Sequence, residues 1–297
     1  DGEKIAYRYR LWQLLTDAGY DFDFVGSQDT GYDIIPDGDG DNEGHPGWTD
    51  DQIVNGRPVT DPAAGNLAIW LDDEQPQIVL LHIGTNGLDP SPDDVAAILD
   101  EIDAYETANS VVIWVILARI INRNCSIESP LCPADSATTT LFNNNVEDMA
   151  LDRITDPTNL AFPDKIIIVD MEESADIDYR LQPAGDMWDN LHPYEVGVDS
   201  GYSKMANVWF TALEGILPQA NAGNPRTVKE NVTVLLNGSS SIDPDGTIVS
   251  YLWEEVTTTG VTINNDTATP TANFTAPNVG PNGNPAAGGS RSGSKYK

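Results

Sequence analysis

The sequence predicts a three-layer α/β/α sandwich built on a parallel sheet, followed by a small all-β module. Three observations carry this. Apolar runs at 78–83, 111–121 and 165–169 alternate with segments of helical periodicity. The runs lack a polar/apolar alternation, as strands buried on both faces require. At Pro218 the composition changes to Pro, Gly, Asn and Ala, and short β-rich runs separated by turn residues follow at 232–236, 248–253 and 261–263.

Each element has a local reason. Leu11, Trp12, Leu14 and Leu15 place an amphipathic helix at 6–18 that stops at Gly19, and a short strand is expected at 22–25. Residues 27–47 are rich in Gly, Asp and Pro and read as loop, and Thr49 begins a short helical stretch. A well-marked helix follows the strand at 78–83. Ser91 caps it, Pro92 fits its first turn, Asp93 and Asp94 favour its positive end, and Val95, Ile98, Leu99 and Ile102 share one face. Further helices are expected at 139–154 and 203–217. The domain reading is therefore an α/β domain over 1–217, a linker at 218–226, an all-β module at 227–279, and a disordered tail at 280–297.

Composition narrows the function. There are 47 acidic against 15 basic side chains, a net charge of -32. That field repels nucleic acid and anionic lipid, so neither is expected as a partner. No apolar run approaches the roughly 18 residues of a membrane-spanning helix. The two cysteines, Cys125 and Cys132, share a Pro/Ser-rich loop. They read as a small disulfide loop made in an oxidising compartment, in preference to two free thiols. A metal would need further ligands, and no histidine is near, so no metal site is expected. The acidic stretch at 37–42 lacks the Gly and Glu of a calcium-binding EF-hand loop and reads as a solvated turn.

Three histidines are available as a base: His45, His82 and His192. His82 falls inside a buried strand and His45 in a loop. His192 follows Asp189 by three residues in Asp189-Asn190-Leu191-His192-Pro193. A carboxylate at that spacing can fold back, accept the imidazole N–H and stabilise the cation formed in catalysis. Gly44-His45-Pro46-Gly47-Trp48 and Gly84-Thr85-Asn86-Gly87 occupy loops near strand ends, where open α/β sheets build their sites. A glycine N–H and an asparagine amide there are donors for a developing oxyanion.

The order Gly-His-Pro-Gly-Trp, then Ile-Gly-Thr-Asn, then Asp-x-x-His-Pro resembles the SGNH, or GDSL, hydrolase superfamily. Phe24-Val25-Gly26-Ser27 and Glu43-Gly44-His45 look most like its carbohydrate-esterase members, such as acetylxylan esterases. The resemblance covers residues 5–217. It implies ester hydrolysis through an acyl-serine without metal or organic cofactor, acting on acylated carbohydrate. It makes His192 the base, Asp189 the residue that orients it, and Gly47 and Asn86 the oxyanion donors. Three departures stand out. Gly87 replaces the Asp that usually follows the oxyanion Asn, and 198–201 look inserted. The Gly-Asp-Ser nucleophile block is absent and is expected upstream of Asp1. Ser27 reads as structural.

Ser239-Ser240-Ser241-Ile242-Asp243-Pro244-Asp245-Gly246 followed by Tyr251-Leu252-Trp253 resembles a PKD domain, an immunoglobulin-like β-sandwich. Trp253 is then a core residue and 243–246 a tight turn. A further strand pair expected beyond Phe274 is not apparent, so the module reads as incomplete. The expectation is a secreted serine esterase acting on acylated carbohydrate. The alternative is a non-catalytic carbohydrate-binding, adhesion or structural surface protein on the same scaffold.

Overall fold

A computed structural model describes residues 5–31, 33–36, 39–124, 132–155, 164–194, 197, 199–244, 246–255 and 261–278. Two compact units result, one of Asp1–Trp12 with Asp23–Ala212 and one of Gln13–Phe22 with Leu213–Lys297. Both Cys125 and the side chain of Cys132, and with them the expected disulfide, lie outside the described residues, as do all of 280–297, Asp245 and part of the 37–42 and 198–201 stretches.

In chain order the first unit carries α1 (Arg8–Ala18, which runs on into the second unit), α2 (Asp50–Asn55), α3 (Leu67–Glu74), β1 (Ile78–Leu81), α4 (Asp93–Asn109), β2 (Trp114–Arg119), α5 (Cys132–Thr155), β3 (Lys165–Asp170) and most of α6 (Gly201–Glu214). The strands are parallel in the order β1-β2-β3, with Ile78 opposite Trp114 and Trp114 opposite Lys165. The central strand is buried on both faces. Val115 and Leu117 join a core with Val95, Ile98, Leu99 and Ile102 of α4 and Phe142 and Val146 of α5. Ile116 and Ala118 point the other way by the period-two rule and are equally buried. Helices therefore cover both faces of a parallel sheet, as an α/β/α sandwich requires.

The local signals act largely as read. Gln52 at the third turn position of α2 returns its side chain to the Thr49 N–H at 3.1 Å. Helix α4 starts one residue later than read, because Pro92 itself is the N-cap, while Ser91 Oγ, one residue earlier, accepts from Asp93 N at 3.2 Å. Helix α5 starts earlier than its periodicity indicates. The expected strand at 22–25 does not form, because no neighbouring strand offers it a ladder. Phe24 N–H instead donates to Asp39 Oδ1 at 2.9 Å, and Ser27 N–H to Glu43 Oε2 at 2.8 Å. Helix α3, which has no strong moment, is set by Asn66, whose side chain accepts from Ile69 N.

Two charge clusters hold this unit together. Glu172, just past β3, is buried, and its carboxylate is filled by donors. Asn122 Nδ2 (2.6 Å) and the Thr140 hydroxyl serve Oε1, while Asn143 Nδ2 (2.9 Å) and Arg119 NH2 (3.2 Å) serve Oε2. Elsewhere Arg153 bridges Asp100, Asp103 and Asp164 at 2.5–2.7 Å. Burial, together with Asp164, Glu106 and Asp100, pushes the Asp103 carboxyl up to about 6 against the pull of Arg153.

In the second unit, β4 (Thr233–Asn237), β5 (Asn264–Asn265) and β6 (Thr271–Thr275) form an antiparallel sheet in the order β4-β6-β5. Val234, Ala272 and Trp253 are buried, so Trp253 is a core residue. The expected strand at 248–253 is irregular instead. Tyr251 N–H finds Thr267 O at 2.9 Å, but Val249 is almost fully exposed and no ladder runs along the segment. The run at 261–263 is displaced to 264–265, where β6 supplies partners.

Two predictions follow from the charge clusters. Glu172→Gln turns one acceptor toward donors that it cannot satisfy, and should cost about 3 kcal/mol in urea unfolding. Asp103 binds its proton more tightly folded than unfolded, so stability falls as pH rises from about 4 through 6. Asp103→Asn, which keeps an acceptor for Arg153, should stabilise by about 1 kcal/mol at pH 8 after allowance for solvent screening, with the gain vanishing near pH 4 in thermal melts.

Candidate active site

The loop between β3 and α6 brings Asp189 and His192 together. Asp189 Oδ1 accepts from the backbone N–H of Leu191 and of His192, each at 2.7 Å, while Oδ2 meets His192 Nδ1 at 2.8 Å. One carboxylate thus forms the turn and takes the imidazole N–H, which fixes the ring's tautomer and aim. Partial burial pushes the Asp189 carboxyl up, but the Leu191 N–H, the imidazole and the His192 N–H together hold it below its ordinary value. Among the described residues nothing is hydrogen-bonded to His192 Nε2, and the ring is exposed.

The loops carrying the two candidate oxyanion donors are hydrogen-bonded to each other. Asn86 Nδ2 donates one hydrogen to Trp48 O, the carbonyl one residue after Gly47, at 3.0 Å. Gly47 has φ 77°, a conformation that glycine adopts freely, and open space lies where a Cβ would be. Its N–H makes no hydrogen bond among the described residues. Arg57 fastens this turn, donating to Gly47 O at 2.5 Å and lying 4.9 Å from the Trp48 ring centroid. Gly87 occupies a left-handed turn with φ 66°, and a Cβ there would stand 2.7 Å from Thr49 Cγ2. A side chain at this position would therefore be strained.

The loop after β2 links the two halves of the site. Arg123 NH2 donates to Thr85 O at 2.9 Å, next to Asn86, and Asn124 N–H donates to Asn190 O at 3.0 Å, inside the Asp189–His192 turn. Asn122 at its base belongs to the Glu172 network, and its N–H rests on the Tyr179 hydroxyl at 3.0 Å. Arg57, Arg123, Asn124 and Glu172 are absent from the residues that the sequence singled out. The one available signal was the position of 122–124 at the carboxyl end of a parallel strand.

His45 and Ser27 have other duties. His45 stacks on Trp70 with centroids 4.5 Å apart, and its Nε2 meets Glu43 Oε1 at 2.5 Å. Ser27 Oγ donates to the same Glu43 oxygen at 2.8 Å. The Glu43 carboxylate stands between the Ser27 hydroxyl and the His45 imidazole, so His45 does not take the Ser27 proton directly. Ser27 and His45 hold the loop that presents Gly47.

Solved structures similar to this chain include carbohydrate and acetyl esterases. A solved Clostridium thermocellum family 3 carbohydrate esterase is similar at 28% identity and a TM-score of 0.50, over 71% of this chain and 86% of its own. A family 3 carbohydrate esterase from Talaromyces cellulolyticus matches at 23% identity and a TM-score of 0.51, over 72% and 93%. A serine-to-alanine mutant of an acetyl esterase, solved with acetate ion, matches at 23% and 0.50, over 72% and 93%. The fold is that of the SGNH hydrolases. Residues 222–281 match the family model of the K319L-like PKD domain. No curated protein matches the chain in sequence. Residues 123–124 hydrogen-bond both to the loop carrying Asn86 and to the turn carrying Asp189 and His192.

His82 differs from His192 in its surroundings. Its Nε2 is enclosed without a hydrogen-bond partner, and burial lowers the ring to about 4. The unfolded chain therefore binds more protons between about 6.5 and 4, and stability is lost as pH falls through that window. NMR titration should find the His82 ring neutral at pH 5. His82→Gln should flatten the stability profile between pH 6.5 and 4.

Proposed function

We propose that the SGNH-like domain is a secreted esterase that removes acyl groups, acetyl foremost, from carbohydrate. The observation that carries this reading is the locked Asp189–His192 pair, tied through Asn124 and Arg123 to the turn bearing Asn86. The likeness to carbohydrate esterases supports the substrate class, and the acidic composition is in keeping with secretion.

In the proposed reaction, His192 Nε2 takes the proton of a serine hydroxyl as its oxygen attacks the ester carbonyl. The Gly47 N–H and the second Asn86 amide hydrogen stabilise the resulting oxyanion. His192 then gives its proton to the departing sugar oxygen, leaving the acyl-serine. Water repeats the sequence and releases the acid. Asp189 keeps Nδ1 protonated and stabilises the imidazolium. The reading needs a serine within reach of His192 Nε2. Ser27 is committed to Glu43, so the nucleophile proposed is the serine of the Gly-Asp-Ser segment that the resemblance leads one to expect. The commitment of Ser27 is also the observation that favours the second reading, a non-catalytic carbohydrate-binding protein.

Hydrolysis of p-nitrophenyl acetate by this chain, beside a version extended upstream through that segment, separates the two. The extended protein should turn over. His192→Ala should lower kcat by at least about 10³-fold and Asn86→Ala by about 10²–10³-fold. A well-folded extended protein without activity would leave the binding reading.

A further inference from the structure

The chain just before Asp189 and just after His192 forms a short antiparallel pair. Met187 and Pro193 are bridged, Trp188 N–H donates to His192 O at 2.8 Å, and Tyr194 N–H donates to Asp186 O at 2.6 Å. Directly opposed residues of such a pair share a face, and successive residues alternate. At the turn end of the pair burial follows this rule: Met187 and Pro193 are buried, whereas Trp188 is 68% exposed and its cross-strand partner His192 is also exposed; Asp186, farther along the outward face, is buried again. The Trp188 and His192 side chains therefore leave the same face of the pair. Tyr194, diagonal to Trp188 on that face, backs the indole. Their rings lie within 13° of parallel with centroids 6.1 Å apart.

An indole left mostly in water forgoes the stabilisation that its burial would give. Here it is held in one orientation by an aromatic neighbour, next to the residue that orients the base. We infer that Trp188, backed by Tyr194, is the platform on which a neutral pyranose ring of the substrate stacks while its ester reaches His192. This rests on the esterase reading and specifies its substrate class. A flat, rigid aromatic face matches the C–H face of a pyranose, and the indole N–H and the Tyr194 hydroxyl offer polar partners at its edge. The net charge of -32 disfavours an anionic sugar. Ring stacking of this kind acts mainly on substrate binding, so it should appear chiefly in KM.

Two measurements test the platform, and the first needs no catalysis. Calorimetric titration of this chain with unacetylated xylohexaose should give binding that weakens at least tenfold in Trp188→Ala and is largely retained in Trp188→Phe. Failure of the hexasaccharide to bind, or equal binding by Trp188→Ala, overturns the platform. The second uses the extended protein. The ratio of kcat/KM on acetylated xylo-oligosaccharide to that on p-nitrophenyl acetate should fall at least tenfold in Trp188→Ala, with the loss in KM and partial recovery in Trp188→Phe. An equal loss on both substrates overturns the platform, because it would mean that the turn itself is disturbed. If xylohexaose binds through Trp188 and no ester is cleaved, the esterase reading fails and the platform stands. If the acetate ester is cleaved and Trp188→Ala leaves the ratio unchanged, the reverse holds.

Discussion

The Glu172 carboxylate is the point on which the site depends. It is buried at the end of β3, where an isolated charge would be costly, and it is kept there by Arg119, Asn122, Asn143 and Thr140. These donors come from β2, from the loop after it and from α5. The carboxylate therefore fixes three elements with one group. Asn143 adds a second tie, since its side chain both accepts from Ile120 N (2.8 Å) and donates to Ile120 O (2.9 Å), as a strand neighbour would. The end of β2 is thereby completed by a side chain, and the chain leaves it in a defined direction.

From that anchor the order passes outward. The 122–124 segment reaches one turn through Arg123 and the other through Asn124, using one hydrogen bond for each. The turns themselves are built locally, by Asp189 in one case and by Gly84 and Gly87 in the other. A Cβ at Gly84 would collide with the Phe142 ring, so the core of α5 and the loop bearing Asn86 meet at a residue with no side chain. Local turn chemistry shapes each half of the site, and a buried polar network sets the distance between them.

The acidic composition constrains the same region. With 47 carboxylates against 15 basic groups, cations are scarce, and two half-buried ones serve three carboxylates each. Arg119 meets Glu147, Asp170 and Glu172, and Arg153 meets Asp100, Asp103 and Asp164. Burial, and then repulsion among the carboxylates that share Arg153, raises the carboxyl of Asp103. Arg57 and Arg123 are spent instead on backbone carbonyls beside the site, Gly47 O and Thr85 O. They shape its loops without pairing with a carboxylate there.

By itself the sequence determined the elements whose causes are local. Continuous apolar runs became the three strands, the Ser91–Asp94 start and the spacing of Val95, Ile98, Leu99 and Ile102 became α4, and three-residue spacing was enough to bring Asp189 onto His192. Trp253 was legible as core because one large apolar residue in a β-rich run has few other places to go. Tertiary structure alone decided whatever needs a partner distant in the chain. The segment at 22–25 stayed irregular and the 248–253 run gained no ladder, because a strand exists only where a neighbour supplies one. Glu172 and Arg123 could not be told from other charged residues until residues 20 to 50 positions away closed around them. The platform at Trp188 likewise became visible only when the antiparallel pairing set indole and imidazole on one face, since pairing register is a property of two segments and is written in neither alone.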